Sequence, residues 1–276
     1  MKNRGVMVLF SSFIFLAGHA PSAYPAGSYT FGAVPQYEQR QMFAIWKPLL
    51  VELERRTGLS FRLIGVPAIP AFEKEILKGS YDFAYMNPYH LLRAHNSQGY
   101  APLVRDRAKL QGILVVRRES AIKSPSDLNG KVVAFPSPNA IGASLLMRAD
   151  LSRLFHVEMS PLYVKTHSSV YLHVVKGLAD AGGGVEKTLA EQEGPIRDAL
   201  RVLYTSRDIP SHPIAVHKRV PKGDAEKVRR ALLELAATGE GRELLAKIPM
   251  KQPVSTSLDD YRAMMNWGLD SFRIEE

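Results

Sequence analysis

Short apolar runs suited to strands alternate, from residue 29 onward, with stretches whose apolar residues recur every three or four positions. Residues 29–34 read as a first strand. Residues 38–57 then place Met42, Ile45, Trp46, Leu49, Leu50 and Leu53 on one helix face and stop at Gly58. Pro48 inside that stretch predicts a kink or a late start. A strand over 61–66, a helix over 69–78 closed by Gly79 and a strand over 83–86 follow. Asn87 with Pro88 behind it has the form of an N-cap and a first-turn proline. Residues 100–105 and 112–117 read as further strands.

A second unit begins near Ser124 with a strand over 131–135. Ser137-Pro138 repeats the cap-and-proline pattern and predicts a helix to about Leu151. A strand over 162–166, a helix over 168–177, a Gly-rich strand or turn over 179–185, a helix over 186–193 and a strand over 200–205 come next. Past Pro210 and Pro213 the pattern gives a short strand at 214–217 and helices near 224–238, 240–247 and 258–268. Such alternation predicts an α/β fold of two lobes, each a mainly parallel sheet flanked by helices. The order of elements puts 28–112 and 214–276 in lobe 1 and 113–213 in lobe 2, so two crossings form a hinge beside a cleft.

The first 26 residues do not fit this pattern. Lys2 and Arg4 precede an apolar run over 6–17, followed by small residues and prolines, which is the form of a secretory signal peptide. The run of about 12 residues is short of the roughly 20 that span a bilayer. His19 stands where a lipoprotein signal would carry Cys. The expectation is a periplasmic protein whose signal is cleaved and which carries no lipid anchor.

Composition narrows the chemistry. With 46% hydrophobic and 23% charged residues in 276, a disordered, collagen-like or coiled-coil chain is excluded. The chain has no Cys, which excludes disulfides, Cys-ligated zinc, iron–sulfur clusters and thiol catalysis. A formal charge of +9 first suggests a polyanion partner, but loss of the signal removes Lys2 and Arg4 and no acid, leaving +7. The remaining cations, such as Arg105, Arg107, Arg117, Arg118, Arg229 and Arg230, are dispersed, and no nucleic-acid-binding signature accompanies them.

No G-x-S-x-G, H-E-x-x-H, EF-hand or G-x-G-x-x-G motif follows a predicted strand. The 182–188 segment imitates a phosphate-binding loop but has Glu186 where the Gly before Lys187 is needed, and reads as a tight backbone turn. More informative are three places where a strand runs straight into a helix start: 86–88, 135–138 and 164–168. In open α/β sheets such junctions lie at the carboxyl ends of strands, where ligands bind, and expose N–H groups that suit an anion.

The chain resembles the phosphate/phosphite/phosphonate substrate-binding proteins of ABC importers, in the type II periplasmic-binding superfamily. The resemblance runs through Phe31-Gly32-Ala33-Val34-Pro35, Trp46-Lys47-Pro48-Leu49, Gly79-Ser80-Tyr81-Asp82-Phe83-Ala84-Tyr85, Ser126-Asp127-Leu128-Asn129-Gly130-Lys131 and Gly177-Leu178-Ala179-Asp180-Ala181. It implies a non-enzymatic, monomeric protein without a cofactor or metal, which closes on a small oxyanion and delivers it to a membrane ABC permease. A periplasmic partner of a membrane sensor kinase is the alternative. By position the resemblance puts Tyr37, Tyr85, Asn87 and Tyr89 on the first-lobe wall, and Ser137 and Asn139 at the helix start that caps the anion. It makes His167 a ligand-facing histidine and Asp180 a partner for an amino group. A cationic His167 would let affinity fall as pH rises through about 6–8. Phosphonate binders in this family usually show consecutive Ser/Thr residues at that helix start. Here 137–144 offers fewer hydroxyls and Pro138 removes an N–H, which leaves open whether the ligand is a phosphonate, another oxyanion or a small organic acid.

Overall fold

β1 (Ser28–Ala33) leads into α1 (Gln39–Thr57), whose Met42, Trp46, Leu49, Leu50 and Leu53 are buried as the periodicity predicts. Gly58 ends the helix in the left-handed region at φ 69°, which glycine adopts without steric cost. Pro48 sits inside α1 on its exposed side, where water can satisfy the carbonyl it leaves unpaired. The computed structural model describes residues 28–248 and 250–275, so the expected signal segment, 1–26, lies outside the described residues.

The chain continues through β2 (Ser60–Ile64), α2 (Ile69–Leu77), β3 (Phe83–Tyr85), α3 (Pro88–Gln98) and β4 (Ala101–Asp106). It then crosses to β5 (Gly112–Arg117), β6 (Val132–Phe135), a π-helical turn (Ile141–Leu145) continuous with α4 (Leu146–Phe155), and β7 (Ser160–Tyr163). After these come α5 (His167–Val175), β8 (Ala181–Val185), α6 (Glu186–Ala190), α7 (Gly194–Asp198) and β9 (Leu200–Thr205). Returning through 206–212, it forms β10 (Pro213–Val216), α8 (Lys222–Leu235), α9 (Gly239–Lys247) and β11 (Pro253–Ser255). It ends in 3-10 turns at Leu258–Trp267 and Leu269–Phe272, where the periodicity predicts an α-helix over 258–268.

One sheet has the order β11-β4-β10-β3-β1-β2 and the other β7-β6-β8-β5-β9. Each contains a parallel half, β3-β1-β2 and β7-β6-β8, built from strand–helix–strand units. The strands next to the crossings, β5 and β10, pair antiparallel with both of their neighbours.

The Gly-rich segment at 182–184 is the body of β8, not a turn. Its glycines allow close approach: a Cβ on Gly183 would fall on the Ala143 carbonyl oxygen, and one on Gly112 of β5 on the Gly142 carbonyl oxygen. The turn that opens α4 thus lies directly on the second sheet. Its other side is apolar, and Ala140, Ile141, Ala143, Leu145 and Leu146 share one buried cluster with Phe31, Trp46 and Tyr85 of the first sheet.

Candidate functional site

The chain between β6 and α4 departs from its expected form. Ser137 is not an N-cap: the helical turn begins at Ile141, and 137–140 form a tight turn with the Ala140 N–H 3.4 Å from the Ser137 carbonyl. Asn139 holds this segment away from helix. Its amide donates to Glu73 Oε2 of α2 at 3.0 Å and to the Ile274 carbonyl at 2.8 Å, and its oxygen accepts the Ile274 N–H. The helix start therefore presents Ala140, Ile141, Gly142 and Ala143 to the space between the sheets, and the first N–H groups of a helix have no acceptor within it.

These four residues line a cavity of about 20 Å³ together with Val34, Gln36, Asn87, His167, Val185 and His212. A volume of that order admits one water-sized group. It adjoins a vestibule of about 330 Å³, which shares Gln36, Leu110, Val185 and His212 with it and adds Tyr37, Tyr85, Lys187 and Lys251 among its walls.

Local geometry explains how each side chain arrives. Asn87 caps α3 by accepting the His90 N–H at 2.7 Å, as its sequence context predicts, and its amide lies 3.5 Å from the Asn139 carbonyl. Lys165, at φ 75°, turns the chain sharply after β7, and Thr166 caps α5 by accepting the Ser169 N–H. His167 thereby enters the interior at the first position of α5, 3% exposed. His212, in the returning crossing, stacks on the Tyr85 ring with centroids 5.4 Å apart.

Burial dominates the electrostatics. It holds His167 down to about 4 and His212 down to about 3, the latter also disfavoured by the nearby His90 and His167. His167 is thus uncharged near neutral pH, not the cation that the sequence allowed. Burial likewise raises Tyr85, whose hydroxyl has no hydrogen-bond partner, and lowers Lys187. The inner cavity has no Lys, Arg, Asp or Glu in its wall, so its polarity comes from N–H groups, amides and imidazoles.

A family model described as "ABC transporter, phosphonate, periplasmic substrate-binding protein" matches residues 31–261. The chain belongs to this family. The phosphate-import protein PhnD of Mycolicibacterium smegmatis is 24% identical over 199 residues, covering 64% of this chain and 62% of that protein. The chain therefore spans less than two thirds of that relative. The structure of PhnD1 from Prochlorococcus marinus in complex with methylphosphonate superposes with a TM-score of 0.80 at 14% identity, over 90% of this chain and 99% of that one. A binding protein component of an ABC phosphonate transporter from Pseudomonas aeruginosa gives 0.75 at 16%, over 87% and 85%. At these identities the two structures establish the fold, which is that of the type II periplasmic-binding proteins.

Against the family pattern, Tyr37, Tyr85, Asn87 and His167 line the cavity or its vestibule. Ser137 is buried with an unpartnered hydroxyl but is not in either wall, and Asn139 is spent on Glu73 and the C-terminal segment. Tyr89 faces the opposite side of α3, where its hydroxyl donates to Asp270 at 2.5 Å. Asp180 precedes β8, at the end of the sheet away from the cavity, and accepts the Val132 N–H at 3.0 Å. His212 and Gln36 carry no sequence signal: one lies in the crossing between two prolines, the other in the loop after β1. Among the described residues no helix is long and apolar enough to cross a membrane.

Proposed function

We propose that this protein captures a small oxyanion between its two lobes in the periplasm and hands it to an ABC permease. The carrying observation is that the open start of the α4 helix, His167 and His212 meet on one cavity between the two sheets. Helix-start N–H groups favour negative charge, and their effect is strongest where water is excluded. An oxyanion would place one oxygen in the inner cavity and the rest in the vestibule, near the unpartnered Tyr85 hydroxyl.

Contacts between the lobes support a closed arrangement around such a ligand. Tyr37 donates to Glu191, Lys187 to the Ile248 carbonyl at 3.2 Å, and Arg148 to the Phe272 carbonyl at 2.6 Å. The 107–111 and 206–212 crossings would act as the hinge on which they open. The relative named for phosphate import and the neighbour solved with methylphosphonate favour a phosphorus oxyanion. Isothermal titration of the exported chain with phosphate, phosphite and methylphosphonate tests the reading. Binding to at least one, weakened by His167→Ala, is expected; binding to none would remove it.

A further inference from the structure

The hydrogen bonds behind His167 fix more than its position. Its Nδ1 lies 3.4 Å from the Thr188 hydroxyl oxygen. That hydroxyl has two nearer places for its hydrogen, the Val185 carbonyl at 2.9 Å and the Tyr171 hydroxyl at 2.7 Å. Tyr171 in turn can donate to the Val185 carbonyl at 3.2 Å or to Thr188. In either arrangement the Thr188 hydrogen goes to a closer acceptor, and its oxygen is left to accept from His167 Nδ1. A neutral imidazole with its proton on Nδ1 has a lone pair on Nε2, and no residue among those described occupies that nitrogen. Burial keeps the ring neutral, so the lone pair persists at physiological pH.

Resting on the oxyanion reading above, we propose that His167 offers the cavity a hydrogen-bond acceptor and so selects an anion that carries its own proton over one that is fully deprotonated. Hydrogen phosphate and the monoanion of a phosphonate bring a P–OH group to the Nε2 lone pair. Sulfate brings only acceptor oxygens, and a buried acceptor facing another acceptor loses a hydrogen bond and gains repulsion. The inner cavity's wall has no carboxylate: Gln36 and Asn87 are amides, His212 is a second imidazole held neutral by burial and stacked on Tyr85, and the carboxylates of Asp106 and Glu186 line only the vestibule. Thr188, at the edge of the vestibule and behind the ring, is then the positioning residue that sets the tautomer of His167.

Calorimetric titration of the wild-type protein with sodium phosphate, methylphosphonate and sulfate between pH 6 and 9 tests this. Sulfate should bind at least about tenfold more weakly than phosphate. Methylphosphonate affinity should fall about tenfold per pH unit above its second ionisation, where the dianion has no proton left. Phosphate keeps one proton as HPO4 2− and should hold its affinity over the same range. Thr188→Val frees the tautomer and should bring the phosphate-to-sulfate ratio toward one, while Thr188→Ser should keep it, with both variants checked for folding by thermal melting. Equal binding of sulfate and phosphate by the wild type, or undiminished binding of the methylphosphonate dianion, overturns the acceptor role and leaves the oxyanion reading standing. A folded protein that binds none of the three overturns that reading as well.

Discussion

Asn139, in the turn before α4, donates to the Glu73 carboxylate of α2 at 3.0 Å, joining the second sheet's side of the cleft to the first. Glu73 is buried at 8% exposure and also faces His90 Nε2 at 3.3 Å. Through Ile274 the same amide fastens the C-terminal segment. A residue that the resemblance places on the ligand thus bonds across from the second sheet's side to the first.

Asn139→Ala should therefore weaken closure before it weakens ligand contact. It leaves a buried carboxylate with one donor fewer, a change that costs about 1–3 kcal/mol. Urea denaturation should read that loss, and small-angle scattering of the unliganded variant should show a larger radius of gyration. An unchanged urea midpoint would refute that role.

Gly183→Ala should be the most damaging single methyl in the second sheet. The added Cβ would fall on the Ala143 carbonyl oxygen and against the Phe135 ring, a site with backbone on one side and core on the other. Overpacking of this kind costs about 1–3 kcal/mol. Because the displaced group is the helix start itself, anion affinity should fall along with stability. Gly223→Ala, where nothing stands within 4 Å, is the control and should leave the affinity as it was.

The strand–helix alternation was legible because apolar periodicity is set by burial, and the ends of β5 and β9 match their expected bounds. Helix phase around a site was less so. Tyr89 and Asn87 are two residues apart, yet one faces Asp270 on the outer side of α3 and the other the cavity. Asp180 carries a resemblance, but its place before β8 puts it at the amino end of the strand, opposite to where ligands gather. His212 was invisible because a crossing segment has no period. Only folding brings it beside Tyr85.

Asp180→Asn separates the resemblance from the geometry. The carboxylate accepts one exposed N–H, from Val132, so the substitution should cost less than about 1 kcal/mol. Titration with phosphate or an aminoalkylphosphonate should give wild-type affinity. A loss of tenfold or more would return Asp180 to the ligand.

Stability should decline on mild acidification for a reason located in the cavity. His167 is held at about 4 in the folded protein against 6.5 for a free histidine, so between these values the unfolded chain binds more protons. Stability contributed by the neutral ring is fully present above about pH 6.5 and is lost as pH falls toward 4. His212, held at about 3, extends the loss further down. At about 1.4 kcal/mol per unit, His167 alone accounts for about 3 kcal/mol across that window. Urea melts of the unliganded protein from pH 7.5 to 4.5 should show this slope, and His167→Gln should flatten part of it. A wild-type profile level from pH 6.5 to 4.5 would mean that the ring is not held neutral in the fold, and the acceptor facing the anion would go with it.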